Sequence, residues 1–513
     1  MGLDELAAVS GAAAATRSRN RKAQLLAEAL RRMAPAEVEI GVSYLVGTLP
    51  QGRIGLGPAL VHGAAQVEPV AHASLSLAEV QAALERIAAI GGPGSATARR
   101  RQLADLFRRS TAAEQAFLAK LLVGELRQGA LEGVLVDALA RAARVPAEAV
   151  RRAVMLAGTP APVAHALLSE GAGGLARFAL TLFDPVRPML AQTASDPKSA
   201  LDALGEAALE YKLDGVRVQL HKDGDRIRVF SRRMNDISAS VPELVEAAGR
   251  WPVDRVVLDG EAIALRDDGT PQPFQVTMRR FGRKADVEAM RAQLPLTTLF
   301  FDCLHRDGDD LLDRPLAERS AAGVEVLPDG LWIPRLVTAD AAQAEAFLEQ
   351  ALARGHEGVL AKSLQAPYAA GSRGSAWLKI KPAHTLDLVV LAAEWGSGRR
   401  QGWLSNLHLG ARDATSGGLV MLGKTFKGLT DVMLQWQTEQ LLAREIGRDR
   451  HTVYVRPDLV VEIAFDGIQA SSRYPGGLAL RFARVKRYRD DKRSEDADTI
   501  DMVRALYKGG AGG

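Results

Sequence analysis

The stretch Glu210-Tyr211-Lys212-Leu213-Asp214-Gly215-Val216-Arg217 stands where the texture of the chain changes, and its two flanks predict the fold. Upstream, from residue 3 to about 156, Ala, Leu and Arg recur at the spacing of an amphipathic helix, as in Leu25, Leu26, Ala29, Leu30 and Met33. Thr111-Ala-Ala-Glu114 has the form of a capping box, in which the hydroxyl and the carboxylate each accept a backbone N–H of the other. It opens a helix with Phe117, Leu118, Leu121 and Leu122 on its apolar side. Residues 158–197 loosen into Gly- and Pro-rich turn sequence, predicting a linker and a boundary near 180. Beyond Leu209, short apolar runs bounded by Gly, Asp or Pro predict strands at 216–220, 227–230, 256–258, 298–301 and 358–361, with helices at 285–294 and 339–353. Runs at 387–392, 407–409, 418–422 and 459–464 predict a small β-barrel. The expectation is a multidomain α+β protein: an all-α region over 1–180, a mixed α/β domain over 181–383 and a β-barrel over 384–513.

Composition agrees and excludes several classes. At roughly 150 residues per domain, 513 residues predict three or four domains. With 47% hydrophobic and 25% charged residues, the chain is too apolar to be disordered and too charged for a membrane bundle. The one cysteine, Cys303, excludes an internal disulfide and any zinc site built on two or more thiolates, which suits a reducing cytoplasm. No apolar run approaches the roughly 18 residues of a spanning helix, and the first 19 residues lack a basic start followed by an apolar stretch, so neither membrane nor secretion is expected. Lys and Arg outnumber Asp and Glu by 65 to 61, too small a bias to name a polyanionic partner. The cluster Arg99, Arg100, Arg101, Arg108 and Arg109 reads equally as a solvated helix face or a phosphate-binding one.

Lys-x-Asp-Gly alone is a common product of exposed hairpins, so its companions decide. In chain order they are Ser231-Arg232-Arg233, Leu258-Asp-Gly-Glu261-Ala-Ile263, Phe300-Phe301-Asp302, Glu357-Gly-Val-Leu-Ala-Lys362 and Trp377-Leu-Lys379-Ile-Lys381-Pro382. This ordered set resembles the covalent nucleotidyltransferase superfamily of polynucleotide ligases and mRNA capping enzymes, and the whole chain resembles an ATP-dependent DNA ligase. The resemblance implies a helical DNA-binding domain, an adenylation domain and an oligonucleotide-binding (OB-fold) barrel. It implies ATP and Mg²⁺ as cofactors, and nicked duplex DNA as the partner of a monomer. No membrane partner is expected, and no clamp-binding peptide is evident.

Attack on the α-phosphorus of ATP needs a nucleophile whose bond to phosphorus is stable yet reversible, and an amine forming a phosphoramidate meets that need; Lys212 is the candidate. A free lysine has a pKa near 10.4, so the site must help it lose its proton. Arg217 and Arg232, with Lys379 and Lys381 on alternate positions of one strand, are expected to supply a positive field and hold the phosphates. Glu261 and Glu357, at the ends of apolar strands, form a carboxylate pair sufficient for Mg²⁺. The resemblance also places Glu261 near the ribose, Phe301 stacked on adenine, Glu210 on the exocyclic amine and Arg373 against the nucleotide. The basic segment from Arg481 to Arg493, seven cations in thirteen residues, resembles the last family motif, with Arg489 and Lys492 over the β and γ phosphates and a domain rotation between steps.

Gly418-Leu-Val-Met-Leu-Gly423-Lys424-Thr425 fits a phosphate-binding loop letter for letter, but a bulky apolar interior preceded by a polar turn predicts a strand instead. An NAD-dependent ligase is disfavoured, since that group resembles a different layout with a four-cysteine zinc finger, which one cysteine cannot build. An RNA ligase or a capping-type nucleotidyltransferase is disfavoured by the long helical region. A P-loop NTPase or a non-catalytic DNA-binding protein is disfavoured by the intact reactive positions.

Overall fold

The computed structural model describes all residues except 53, 127–131, 282–285, 370–374, 383, 398–399 and 508–513. The chain divides into two compact units, Met1–Ile380 and Lys381–Gly513.

The first unit opens with helices, among them Arg19–Arg32, Leu77–Ala89, Ser95–Arg108, Ala112–Val123 and Glu132–Ala143. The capping box forms as expected: Thr111 Oγ1 accepts from the Glu114 N–H, and Glu114 Oε2 accepts from the Thr111 N–H at 2.7 Å. Leu26, Leu30, Val42, Leu84, Phe107, Leu118 and Leu135 share one buried core. Arg100 and Arg101 face solvent, whereas Arg108 pairs with Asp105 and Arg109 with Glu79. The linker predicted from 158 onward is wrong in its first part, because Pro160–Glu170 is an α-helix. Proline at the first helical position removes an N–H that would have lacked a partner anyway, so Thr159-Pro160 starts a helix rather than a turn. Met155 and Leu156 enter the same core as Val186, Met189 and the strands that follow.

Those strands are β1 (Gln192–Thr193), β2 (Ala207–Tyr211), β3 (Val216–Asp223), β4 (Arg226–Ser231), β5 (Arg255–Ala264), β6 (Leu296–Arg306), β7 (Asp309–Asp310), β8 (Arg335–Thr338), β9 (Val359–Ser363) and β10 (Trp377–Ile380). They form two five-stranded sheets, in the orders β1-β10-β9-β2-β8 and β4-β3-β5-β6-β7. Leu209, Tyr211, Val359, Ala361 and Leu378 of the first sheet share a core with Ala200, Leu201, Ala344 and Leu348 of the helices Pro197–Leu204 and Ala341–Ala353, while Trp377 on the opposite face meets Phe301 of the second sheet. Val218, Leu220, Val256, Leu258 and Phe300 form a separate core on the second sheet with Leu244 and Trp251. β5 runs well past the predicted 256–258, so Glu261 lies inside a strand and not at its end. Pairing with both β3 and β6 carries Asp259-Gly260-Glu261 through despite their poor strand propensity.

In the second unit, β11 (His384–Trp395) shares its length between β12 (Leu404–Arg412), β15 (Thr452–Val455) and β16 (Val460–Phe465). β13 (Leu419–Thr425) and β14 (Glu445–Arg448) flank this set, β17 (Gly467–Ala470) pairs with β18 (Leu478–Arg481), and β19 (Arg484–Tyr488) completes a seven-stranded sheet through β16. The residues matching a phosphate loop are strand β13, and Lys424 is paired to Glu394. Among the described residues no helix is long and apolar enough to cross a membrane.

Candidate active site

Lys212 follows β2, where the chain leaves the sheet for the turn into β3. Its backbone is tied on both sides to the residues before β9: its N–H donates to Gly358 O at 2.8 Å, and its carbonyl accepts from the Glu357 N–H at 3.1 Å. The Lys212 side chain is about one-fifth exposed, and its Nζ donates to Glu357 Oε2. Gly215 is required three residues on, since a Cβ there would lie 2.4 Å from both Ala262 O and Ile263 Cγ2. That close approach brings the Gly215 N–H to Glu261 Oε1 at 3.2 Å.

Register decides which side chains share a face. On the first sheet Glu210 pairs with Arg335 of β8 and Leu360 of β9, Lys362 pairs with Trp377, and Leu360 with Lys379. Paired residues project to the same side, so Arg335, Glu210, Leu360, Lys362, Trp377 and Lys379 lie on one face, with Lys212 two residues beyond Glu210. On the second sheet Arg217 pairs with Glu261, and Asp259 is two residues away on the same face.

Arg217 is not a loose cation. It forks onto Asp259, donates to Met189 O at 2.6 Å, and lies 3.3 Å from the Tyr368 hydroxyl. That hydroxyl donates to Asp259 Oδ2 at 2.7 Å, and burial followed by Asp259 raises its pKa well above the ordinary value. Burial pushes the Glu261 carboxyl up to about 7, with Arg217 and Lys212 pulling the other way. Phe301 is 6% exposed, edge-on to Trp377, with Lys362 Nζ 4.3 Å from its ring centroid. Burial pushes Lys362 below the usual lysine range. Arg232 is exposed and borders a narrow crevice beside Arg217 and Asp259.

Three expected cations lie in the second unit. Lys381 is outside β10, so it does not share a strand face with Lys379; it pairs with Asp466 at 2.6 Å. The break follows from Pro382, which cannot donate to a strand ladder. Asp387 Oδ2 accepts from Arg489 Nη1 at 2.8 Å and from Lys492 Nζ at 2.6 Å, and Arg489 also forks onto Asp491. Arg373 lies outside the described residues.

The first unit thus gathers Lys212, Glu357, Glu261, Glu210, Arg217, Phe301 and Lys379. Sequence reasoning left four supporting residues without roles, namely Asp259, Tyr368, Arg335 and Lys362. Asp259 and Lys362 stood inside motifs singled out from the sequence, whereas Arg335 carried no signal. As to metal, Glu357 holds the Lys212 amine, Glu261 accepts from the Gly215 N–H and is close enough to feel the Lys212 charge, and among the described residues no cluster of three or more metal-ligating side chains occurs. Two carboxylates suit Mg²⁺, which takes few protein ligands and keeps water and phosphate oxygens.

A helical region, a nucleotidyltransferase domain and a β-rich domain make the architecture of a nucleotidyl-transferring ligase. Residues 188–381 match the family described as "ATP dependent DNA ligase domain", residues 400–492 its "C terminal region" and residues 62–140 the "DNA ligase N terminus". A "Probable DNA ligase" of Anaeromyxobacter dehalogenans (strain 2CP-C) is 64% identical, over 99% of this chain and 100% of that one. Another, of Sorangium cellulosum, is 59% identical over 100% and 96%. The solved structure titled "Pmar-Lig_PreS3" shares the fold, with a TM-score of 0.62 over 94% of this chain and 99% of that one at 18% identity. The chain belongs to the ATP-dependent DNA ligase family; it is an enzyme that joins DNA with ATP as its cofactor.

Proposed function

We propose that the enzyme seals nicks in duplex DNA through an adenylate carried on Lys212. The observation that carries this reading is the Lys212 amine, held by Glu357 at the end of a sheet face lined by Glu210 and Lys379. The ammonium must shed a proton before it attacks, and Glu357 Oε2 already accepts its hydrogen bond. An Nζ–P bond then forms at the α-phosphorus while the bond to pyrophosphate breaks. Next an oxygen of the DNA 5′-phosphate takes the AMP and Lys212 recovers its proton. Finally the 3′-hydroxyl attacks that 5′-phosphate, loses its proton, and expels AMP.

Bound Mg²⁺ supplies positive charge against the phosphate oxygens, and Glu261 and Glu357 are the carboxylates that would hold it. Arg232 and Lys379 have the charge to bind phosphate. Arg217, already engaged by Asp259, orients its own strand first. Glu210 and Phe301 are assigned to the adenine, Glu261 also to the ribose, and Arg373 to the nucleotide. Lys381, Arg489 and Lys492 are assigned to the triphosphate; to reach it they must exchange Asp466, Asp387 and Asp491 for phosphate oxygens, which requires movement between steps. The helical region grips the duplex through its phosphates, with Arg100 and Arg101 exposed for that purpose. We expect a monomer in the cytoplasm, recruited without a clamp-binding peptide.

The direct test is incubation with ATP labelled at the α-phosphate, without DNA. An acid-labile, base-stable label should appear on the parent and be absent from Lys212→Ala; equal labelling of both overturns the assignment.

A further inference from the structure

We propose that Arg187 registers the helical region on the reactive sheets, so that a duplex gripped by the helices presents its 5′-phosphate in line with the adenylate on Lys212. Arg187 is a positioning residue for the DNA-dependent steps and takes no part in charging the lysine. This rests on the reading above in which Lys212 carries the adenylate and the helices hold the duplex.

One end of the register is a strap before β1. Residues 185–191 form neither helix nor strand, and Pro185 and Pro188 keep them so. The strap is nevertheless held along its length. Arg217, Gln219 and His221 are alternate residues of β3 and project to one side, and each clamps a different strap residue. His221 Nδ1 accepts from the Phe183 N–H at 3.0 Å. Gln219 accepts from the Val186 N–H at 2.7 Å and donates back to Val186 O at 3.0 Å. Arg217 donates to Met189 O at 2.6 Å, and the Tyr368 hydroxyl accepts from the Met189 N–H at 3.0 Å. Gln219 and His221 are buried, and burial keeps the ring neutral, so Nε2 donates to Gln219 Oε1 at 2.9 Å while Nδ1 accepts. A buried polar network with its members paired is rigid.

The other end is Arg187 itself, which turns to the helices. Its N–H donates to Met155 O at 3.3 Å, its Nε donates to Gly158 O, and its Nη1 pairs with Glu132. Met155 and Gly158 close the helix Ala147–Ala157, where carbonyls lack partners within the helix and the dipole favours a cation. Glu132 stands in the first turn of Glu132–Ala143. One guanidinium joins the ends of two successive helices. Leu135 and Val150 of those helices share a core with Leu103 and Phe107 of the helix bearing Arg100 and Arg101, so the helical region follows as a body. Met155 and Leu156 also bury against the sheet core, but apolar contact has no direction, and the charge-assisted bonds of Arg187 supply it. Arg152 with Asp313, a second ion pair between the two regions, is 41% and 68% exposed and adds little. Register matters where DNA is the substrate. Self-adenylation needs no group from the helical region, whereas transfer needs a phosphate carried by a duplex held there, and a misplacement of about 1 Å costs about a hundredfold in rate.

The test separates charging from transfer in the full chain. The protein is charged with α-labelled ATP, freed of nucleotide and mixed with saturating nicked duplex, and label reaching the 5′-phosphate is timed in a single turnover. Arg187→Met should charge and bind the duplex within about twofold of the parent, the scatter of independent effects. Its transfer should be slower by roughly ten- to a hundredfold. Arg187→Lys, which keeps a cation for Glu132 and the helix end, should recover most of that rate, and Arg152→Met should transfer like the parent. Parent-like transfer by Arg187→Met overturns the inference, as does a loss of charging equal to the loss of transfer. Should Arg187→Met fail to fold, Glu132→Gln decides, since it leaves the bonds to Met155 O and Gly158 O in place: slower transfer with charging intact supports the inference and unchanged transfer overturns it. Label absent from Lys212 in the parent counts against the nucleophile; label on Lys212 with transfer indifferent to position 187 counts against Arg187 alone.

Discussion

At the scale of single residues, Glu261 ties activity to pH. With its carboxyl raised to about 7 by burial, it is protonated in the folded chain over a range where the unfolded chain has already ionised. A raised folded pKa means stability that is complete below about 4.5 and lost as pH rises through 7. Glu261→Gln should therefore raise the melting temperature at pH 8 without Mg²⁺ and change it much less at pH 5; equal shifts at both would count against the burial. Self-adenylation at limiting Mg²⁺ should fall as pH drops below 7, where Glu261 holds a proton in place of metal. Gly215→Ala should lose about 1–3 kcal/mol by denaturant melting, since a methyl at 2.4 Å from Ala262 O forces strands β3 and β5 apart. The residues assigned to the chemistry could be named from the sequence because only certain side chains can do it. The roles of Arg335, Asp259 and Tyr368 could not be, because their partners lie 125 and 109 residues away and only the folded register joins them.

At the scale of elements, one buried ion pair ties the helix Leu316–Val326 to strand β6. Arg319 forks onto Asp302 at 2.7 and 3.0 Å with neither side chain exposed, and it also donates to Arg314 O and Ala366 O. Removing the cation strands a buried carboxylate beside Phe301, so Arg319→Met should cost about 3–5 kcal/mol in chemical denaturation. A loss below about 1 kcal/mol would show that the pair is dispensable. Elements with clean periodicity, such as the helix at 341–353, were readable from sequence. The failures share a cause. Pro160 reads as a turn unless its position within a helix is known, and the length of β5 depends on neighbours on both sides. Lys379 and Lys381 look like strand alternates until Pro382 ends the ladder.

At the scale of the whole molecule, the chain divides into two units, Met1–Ile380 and Lys381–Gly513. Arg100 and Arg101 are exposed on the helix Ser95–Arg108, so Arg100→Glu with Arg101→Glu should weaken nick binding and flatten its dependence on salt by about one unit of log–log slope per lost phosphate contact. Label transfer from ATP to the protein without DNA should be untouched. A cut at 180 is a harsher change, since Met155 and Leu156 belong to the core beneath Val186 and Met189. In the second unit, Asp387 is ion-paired to both Arg489 and Lys492. If these cations hold the triphosphate, Asp387→Asn should free Lys492, leave Arg489 held by Asp491 alone and lower the KM for ATP in self-adenylation; a raised KM would mean that Asp387 orients them for phosphate instead. The most direct measurement of the central claim is peptide mapping by mass spectrometry after incubation with ATP alone. The account predicts one AMP on the peptide containing Lys212, removed by added pyrophosphate. Adenylate on any other side chain, or on none, would contradict it.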